Sequence, residues 1–294
     1  MKKPAALAGL PAPTNPPRPL IVFSHGNSFP ASTYGVLFAS LRQRGFDLEA
    51  IEKIGHDPAY PVTSNWPHLV QQLADFAGSK SAGADRPLFL VGHSLGGFLS
   101  LMCAARHPTL VGKKIGGVVL LDAPVIAGWR ATALSVAKKA RLVGSLSPGA
   151  VSQKRRHEWL GKDEVFAHFR SKKIFAGWDE ETLRNYIEHG THEADAANDA
   201  DHRRRLSFDR NIETAIYNTL PDNLDSLLRR HPPKCPVAFI GGRESREIGQ
   251  VGMAATEKVT HGRVMLLDGS HLFPMERPLA TAAAVEAALL NMLA

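Results

Sequence analysis

The sequence predicts an α/β fold: a doubly wound, mostly parallel sheet of about six strands with a helical cap insertion. Three observations carry that expectation. Short apolar runs alternate with stretches whose apolar residues recur at helical spacing. The runs are continuously apolar, the pattern of strands buried on both faces of a parallel sheet. A long central segment then breaks the alternation and turns helical, basic and aromatic.

The runs that read as strands are, in order, "LIVFSH", "FDLEAIE", "PLFLVGH", "GVVLLDAP", "PVAFIGG" and "RVMLLDG". Between the first two, "SFPASTYGVLFASLRQRG" has helical spacing and ends on Gly45, a residue suited to closing a helix. "SNWPHLVQQLADFAG" follows the second, with Ser64 or Asn65 as cap and Gly78 as close. After the third comes "GGFLSLMCAARHP", a helix opened by two glycines and stopped by Pro108. The chain thus divides into a Pro-rich leader over 1–18, expected to be disordered, a core over 19–124 and 226–294, and a helical cap over 125–225. Within the cap, "GTHEADAANDADHRRR" from Gly190 to Arg205 is polar and reads as a mobile loop.

Composition limits the classes of function. With 44% hydrophobic and 21% charged residues the chain reads as globular, and its longest apolar runs are too short to cross a bilayer. Prolines interrupt the leader before a signal-peptide core can form, so a cytoplasmic protein is expected. Two cysteines are too few for a disulfide framework, and Cys103 falls in a helical apolar pattern where a buried thiol is usual. The formal charge of +7 draws anions at long range, but no nucleic-acid-binding module accompanies it, and no nucleic-acid partner is expected. His189, His192 and His202 match no metal-site spacing, so neither a metal nor a cofactor is expected.

The chemistry sits at strand ends. Gly92-His93-Ser94-Leu95-Gly96 is a GxSxG sequence where a strand gives way to a helix. Such a turn forces its serine into strained backbone geometry and lifts the hydroxyl above the sheet edge, while the helix aims amides at charge developing nearby. A serine hydroxyl is a weak nucleophile near neutral pH and needs a base to take its proton. His271, in "LLDGSHLFPMERP" after the final strand, is the candidate base. "SHGNSFPASTY" after the first strand offers Asn27 as one oxyanion N–H donor, with Ser28 behind it, and Leu95 offers the other.

Together "HGNS", "GHSLGG" and "GSHLFPMERP" resemble the α/β-hydrolase family over roughly Leu20 to Val125 and Cys235 to Ala294. The resemblance implies a triad in the chain order Ser, acid, His. It also implies an N-terminal antiparallel hairpin, which about twenty Pro-rich residues leave no room for. The commoner family position for the acid follows the penultimate strand, where "GGRE" puts Glu244 and Glu247 lies three residues on. Some relatives place it after the strand that follows the elbow, where "GVVLLDAPV" puts Asp122. "HGNS" is similar to the dehalogenases' "HGNP", which accompanies the second position; the choice therefore falls on Asp122, with Glu244 as the alternate.

Serine rather than aspartate at the elbow argues against dehalogenase or epoxide-hydrolase chemistry and for acyl transfer to water. The expected activity is hydrolysis of a small-molecule carboxylic ester; thioester, lactone and carbon–carbon hydrolysis use the same triad, and a non-catalytic binding protein could use the same pocket. The cap aromatics Trp129, Trp159, Phe166, Phe169, Phe175, Trp178, Tyr186 and Tyr217 could line an acyl pocket or simply pack the helices. The basic runs "KRRH" and "RSKK" could steer an acidic substrate or form a solvated face.

Overall fold

A computed structural model of the chain describes residues 17–83, 85–126, 153, 155–194 and 203–293. Most of the leader, Trp129 and His202 lie outside these residues.

Six strands pair in parallel: β1 (Leu20–Ser24), β2 (Asp47–Ala50), β3 (Leu88–His93), β5 (Lys113–Leu121), β9 (Val237–Gly242) and β10 (Val264–Leu267). Their order across the sheet is β10-β9-β5-β3-β1-β2, and the two-residue β4 (Thr109–Leu110) adds antiparallel to the start of β5. Alternate residues of each strand serve opposite faces. Leu20, Val22, Leu88, Leu90, Val118, Leu120, Val237 and Phe239 belong to one apolar cluster. Ile21, Phe23, Phe89, Val91, Val119, Leu121, Ala238 and Ile240 belong to the other. Burial on both sides is why these strands read as continuous apolar runs.

Helices α1 (Gly35–Gln43), α2 (Pro67–Ser81) and α3 (Leu95–Arg106) cover the sheet. Gly45 takes φ 97° just past α1, as the sequence predicts. α2 differs in two respects. Neither Ser64 nor Asn65 caps it: Trp66 holds the N-cap with φ 53° and Pro67 begins the helix, while Asn65 accepts from the Asp222 N–H at 2.9 Å. Nor does Gly78 end it. A Cβ there would lie 2.9 Å from Val111, so the glycine permits close packing inside the helix. Cys103 is a buried free thiol whose pKa burial pushes up to about 12.

Between β5 and β9 the described residues form α4 (Gly161–Arg170), α5 (Lys173–Ala176), α6 (Glu180–Gly190), α7 (Arg210–Asn218) and α8 (Leu224–Arg230). They also form a three-stranded antiparallel sheet in the order β6 (Glu158–Leu160), β8 (Arg203–Leu206), β7 (Thr191–Glu193). The last two strands occupy the ends of the segment expected to be a mobile loop. The charged run Arg203–Arg205 hides its strand because Arg204 is buried and hydrogen-bonded to the Thr191 hydroxyl at 2.8 Å and the Thr191 carbonyl at 2.9 Å.

The aromatics of this region mainly pack one another. Phe169, Phe175, Trp178 and Tyr186 are buried, with centroids 4.7 Å apart for Phe175–Trp178 and 5.1 Å for Phe169–Tyr186. Phe29, next to the HGNS loop, joins them at 5.5 Å from Trp178 and 5.7 Å from Tyr186. In the basic run "KRRH", Arg155 is engaged by Glu213 at 3.0 Å and by the Tyr186 hydroxyl at 2.8 Å.

Candidate active site

The sheet register brings the carboxyl ends of the strands to one edge. Ser24 pairs with Gly92, His93 with Leu121, and Leu267 with Gly242. Ligand sites of open parallel sheets form at that edge.

Ser94 stands between β3 and α3 with φ 52° and ψ −114°, and its amide donates to the Leu121 carbonyl at 2.9 Å. Three glycines make the turn possible. A Cβ on Gly92 would lie 2.1 Å from the Gly96 carbonyl oxygen, one on Gly96 1.9 Å from the Ser24 carbonyl oxygen, and one on Gly97 2.5 Å from the Ala123 Cβ. Asp122 directly follows β5 with φ 46°, and Ser28, in the first strand's loop, has φ 77°. Non-glycine residues rarely adopt such backbone, and Ser28, Ser94 and Asp122 bring three of them to this end of the sheet.

The structure brings Ser94, His271 and Asp122 into one hydrogen-bonded chain. His271 Nε2 lies 3.0 Å from Ser94 Oγ, and His271 Nδ1 lies 2.7 Å from Asp122 Oδ2. A carboxylate accepts, so the imidazole proton sits on Nδ1 and Nε2 is open to the serine proton. Asp122 is buried and also accepts from the Gly242 N–H at 2.8 Å and the Ser245 hydroxyl at 2.5 Å. Glu244 does not join the chain: its side chain is exposed, while its amide donates to the Gly269 carbonyl at 3.0 Å. Glu247 comes much closer, with Oε2 3.6 Å from His271 Nδ1.

Burial is the largest influence on His271 and lowers its pKa. The Asp122 hydrogen bond and the charges of Glu247, Asp122 and Glu276 outweigh it, so the net shift is upward.

Supports around the histidine loop escape sequence reasoning. Glu276 accepts from the Ser270 N–H at 2.8 Å and the Ser270 hydroxyl at 2.5 Å, closing the turn that presents His271. Gly242 lets that turn approach, since a Cβ there would lie 2.3 Å from the Ser270 carbonyl oxygen. A buried chain runs behind it. The Gly26 N–H donates to Tyr34 Oη at 3.0 Å, Tyr34 donates to His93 Nδ1 at 2.7 Å, and His93 Nε2 donates to the His271 carbonyl at 2.9 Å. The carbonyl can only accept, which fixes this tautomer for a neutral His93. The "FPMER" and "GHS" stretches contain Glu276 and His93, but nothing in the letters says what either touches.

His93 and His25 are fully buried and neutral. Burial, followed by repulsion from His271, lowers His93 to about 3. Burial lowers His25 to about 4. Both pKa values lie below the unfolded value, so their contribution to stability is present above about pH 6.5 and fades as pH falls toward 4. Two extra protons bound by the unfolded chain give a slope of ~2.7 kcal/mol per pH unit in that window. Urea unfolding at pH 6.0 and 4.5 is expected to show a loss of stability approaching this slope; a flat profile would mean that the two imidazoles are not held neutral.

Asn27 is buried, its side-chain amide donates to the Glu213 carbonyl at 3.0 Å, and its Oδ1 has no partner among the described residues. Leu95 is the first residue of α3, where amides lack intrahelical acceptors. Ser28 bonds Tyr217, whose hydroxyl burial pushes up to about 12.

A parallel sheet wound on both faces, with a serine elbow at its centre, is the architecture of a hydrolase family. A family model described as the alpha/beta hydrolase family matches residues 21–284, and the chain belongs to that family. The monoglyceride lipase of Rattus norvegicus is 26% identical over 140 residues, 46% of this chain and 45% of that protein, so the chain spans just under half that relative's length. The monoglyceride lipase homolog of Monkeypox virus is 25% identical over 183 residues, 58% of this chain and 64% of that protein. A solved structure of E-2-(acetamidomethylene)succinate hydrolase superposes with a TM-score of 0.67 at 21% identity, covering 92% of this chain and 90% of that one, a likeness of fold. Among the described residues no helix is long and apolar enough to cross a membrane.

Proposed function

We propose that the protein is a serine hydrolase that cleaves a carboxylic ester through an acyl-enzyme on Ser94. The observation that carries this reading is the unbroken chain from Ser94 Oγ to His271 Nε2 at 3.0 Å and from His271 Nδ1 to Asp122 at 2.7 Å. The likeness to monoglyceride lipases, whose name is that of an ester hydrolase, supports the substrate class.

In this reading His271 Nε2 takes the Ser94 proton as Oγ attacks the ester carbonyl, and the imidazolium is stabilised by Asp122 through Nδ1. The tetrahedral oxyanion is held by the Leu95 amide and by an amide of the HGNS loop. The Gly26 amide is committed to Tyr34, and the Phe29 amide to the Gly26 carbonyl at 3.2 Å. That favours Asn27, with Ser28 beside it, as the loop's donor. Collapse expels the alkoxide, which takes the proton from His271. Water, deprotonated by the same nitrogen, then releases the acid and the proton returns to Ser94.

A fluorophosphonate probe tests the reading. The expected outcome is stoichiometric labelling of the wild type, none of Ser94→Ala, and p-nitrophenyl ester turnover that disappears with the label. Folded wild-type protein that takes no label would rule out an activated Ser94.

A further inference from the structure

We propose that Glu247 is a positioning residue of the same site, a second carboxylate beside the His271 Nδ1–H that takes it over when Asp122 cannot accept. The inference rests on the hydrolase reading above. His271 Nδ1 has Asp122 Oδ2 at 2.7 Å and Glu247 Oε2 at 3.6 Å, and ligand atoms of the three residues all lie within 4.8 Å of one another. The imidazole therefore has a carboxylate in hydrogen bond and another one small side-chain movement away.

Ser245 connects the two acids. Its hydroxyl has a single proton and two acceptors in reach, Asp122 Oδ2 at 2.5 Å and Glu247 Oε2 at 3.3 Å. The same oxygen accepts from the Ile248 N–H at 3.2 Å, which caps the short helix α9 (Arg246–Val251) and sets Glu247 in its first turn. Asp122 is buried, with both oxygens occupied. Glu247 is half-exposed and can turn toward Nδ1 without disturbing the core. An acidic residue in a first helical turn also suits the helix dipole, but that role acts on stability alone.

The titratable groups facing His271 are Asp122 after β5, Glu247 on α9, Glu276 after the histidine loop, and the neutral His93 of β3, whose ring centroid lies 5.1 Å away. Glu247 is among the groups that favour the imidazolium. Loss of its charge therefore makes His271 less basic, and the acid limb of the rate profile moves to lower pH.

The test is a double-variant cycle on a p-nitrophenyl ester, with kcat/KM followed against pH. Without a reserve acid, loss of the triad carboxylate costs about ten-thousandfold. Asp122→Asn is expected to cost about a hundredfold, because Glu247 accepts the Nδ1–H in its place. Glu247→Gln alone is expected to cost less than about fivefold and to move the acid limb to lower pH; in the Asp122→Asn background it should cost at least about tenfold. Glu247→Gln is an isosteric change on a half-exposed side chain, and an unchanged Tm excludes a folding effect. Equal costs in the two backgrounds, or an unmoved acid limb, overturn the proposal. Loss of turnover in Ser94→Ala is the prior condition, and its absence overturns the hydrolase reading instead.

Discussion

His271→Ala should lower kcat/KM for a p-nitrophenyl ester by about a millionfold, because members of a catalytic triad act as a unit and removing the base costs nearly as much as removing all three. The Ser94 hydroxyl would lose its acceptor at 3.0 Å, and the leaving alkoxide its proton donor. The fold should survive. The His271 ring is partly exposed, its backbone carbonyl still accepts from His93, and Glu276 still closes the turn at Ser270. A Tm within a few degrees of wild type therefore separates loss of chemistry from loss of structure. In the proposed mechanism the same histidine should set the wild-type pH profile. The base must be neutral to accept a proton, so kcat/KM falls as pH drops through the His271 pKa. Burial lowers that pKa, but the Asp122 hydrogen bond and the charges of Glu247, Asp122 and Glu276 raise it further, and the acid limb belongs above the ordinary histidine value. A variant retaining more than about a hundredth of wild-type kcat/KM would remove His271 from the role of base.

The parts of this molecule legible in the sequence are those where one local pattern has one physical cause. A strand buried on both faces must be apolar throughout, so "PLFLVGH" and "GVVLLDAP" give away both the sheet and the strand ends that carry Ser94 and Asp122. Parts that depend on how distant segments meet are not legible. Gly78 reads as a helix close, but it lies inside the helix, where the Val111 side chain would come within 2.9 Å of a Cβ. Arg203–Arg205 reads as the end of a mobile loop, although Arg204 is buried on partners from another strand. The charged run "RESRE" has the look of a solvated loop, and for Glu244 it is one. Three residues later a single turn of helix carries Glu247 to 3.6 Å from His271, a distance set by the Ser245 cap and by the position of a loop from β10. Spacing along the chain contains none of that information.

Gly96→Ala should be the most damaging single methyl group that can be added to the elbow. The new Cβ would sit 1.9 Å from the Ser24 carbonyl oxygen and 2.3 Å from its carbon. Both are backbone atoms of β1, which is paired on one side to β2 and on the other to β3, so no side chain can rotate away to relieve the contact. Either α3 lifts off the sheet or β1 shifts in register. The first exposes Leu95, Leu99 and Met102, all buried in the core, and the second disturbs the Ser24–Gly92 pairing that holds the HGNS loop beside Ser94. A destabilisation above about 4 kcal/mol is expected, a large share of the roughly 5–15 kcal/mol that keeps a domain folded. Gly249 provides the opposite case within the same chain. It lies in α9, and a Cβ added there would meet no atom within 4 Å, so Gly249→Ala should stabilise by up to about 1 kcal/mol through helix propensity. Urea midpoints of the two variants against wild type, together with fluorophosphonate labelling, check both halves. A Gly96→Ala protein that unfolds with the wild-type midpoint and still takes the label would mean that the elbow does not depend on the close approach of α3 to β1.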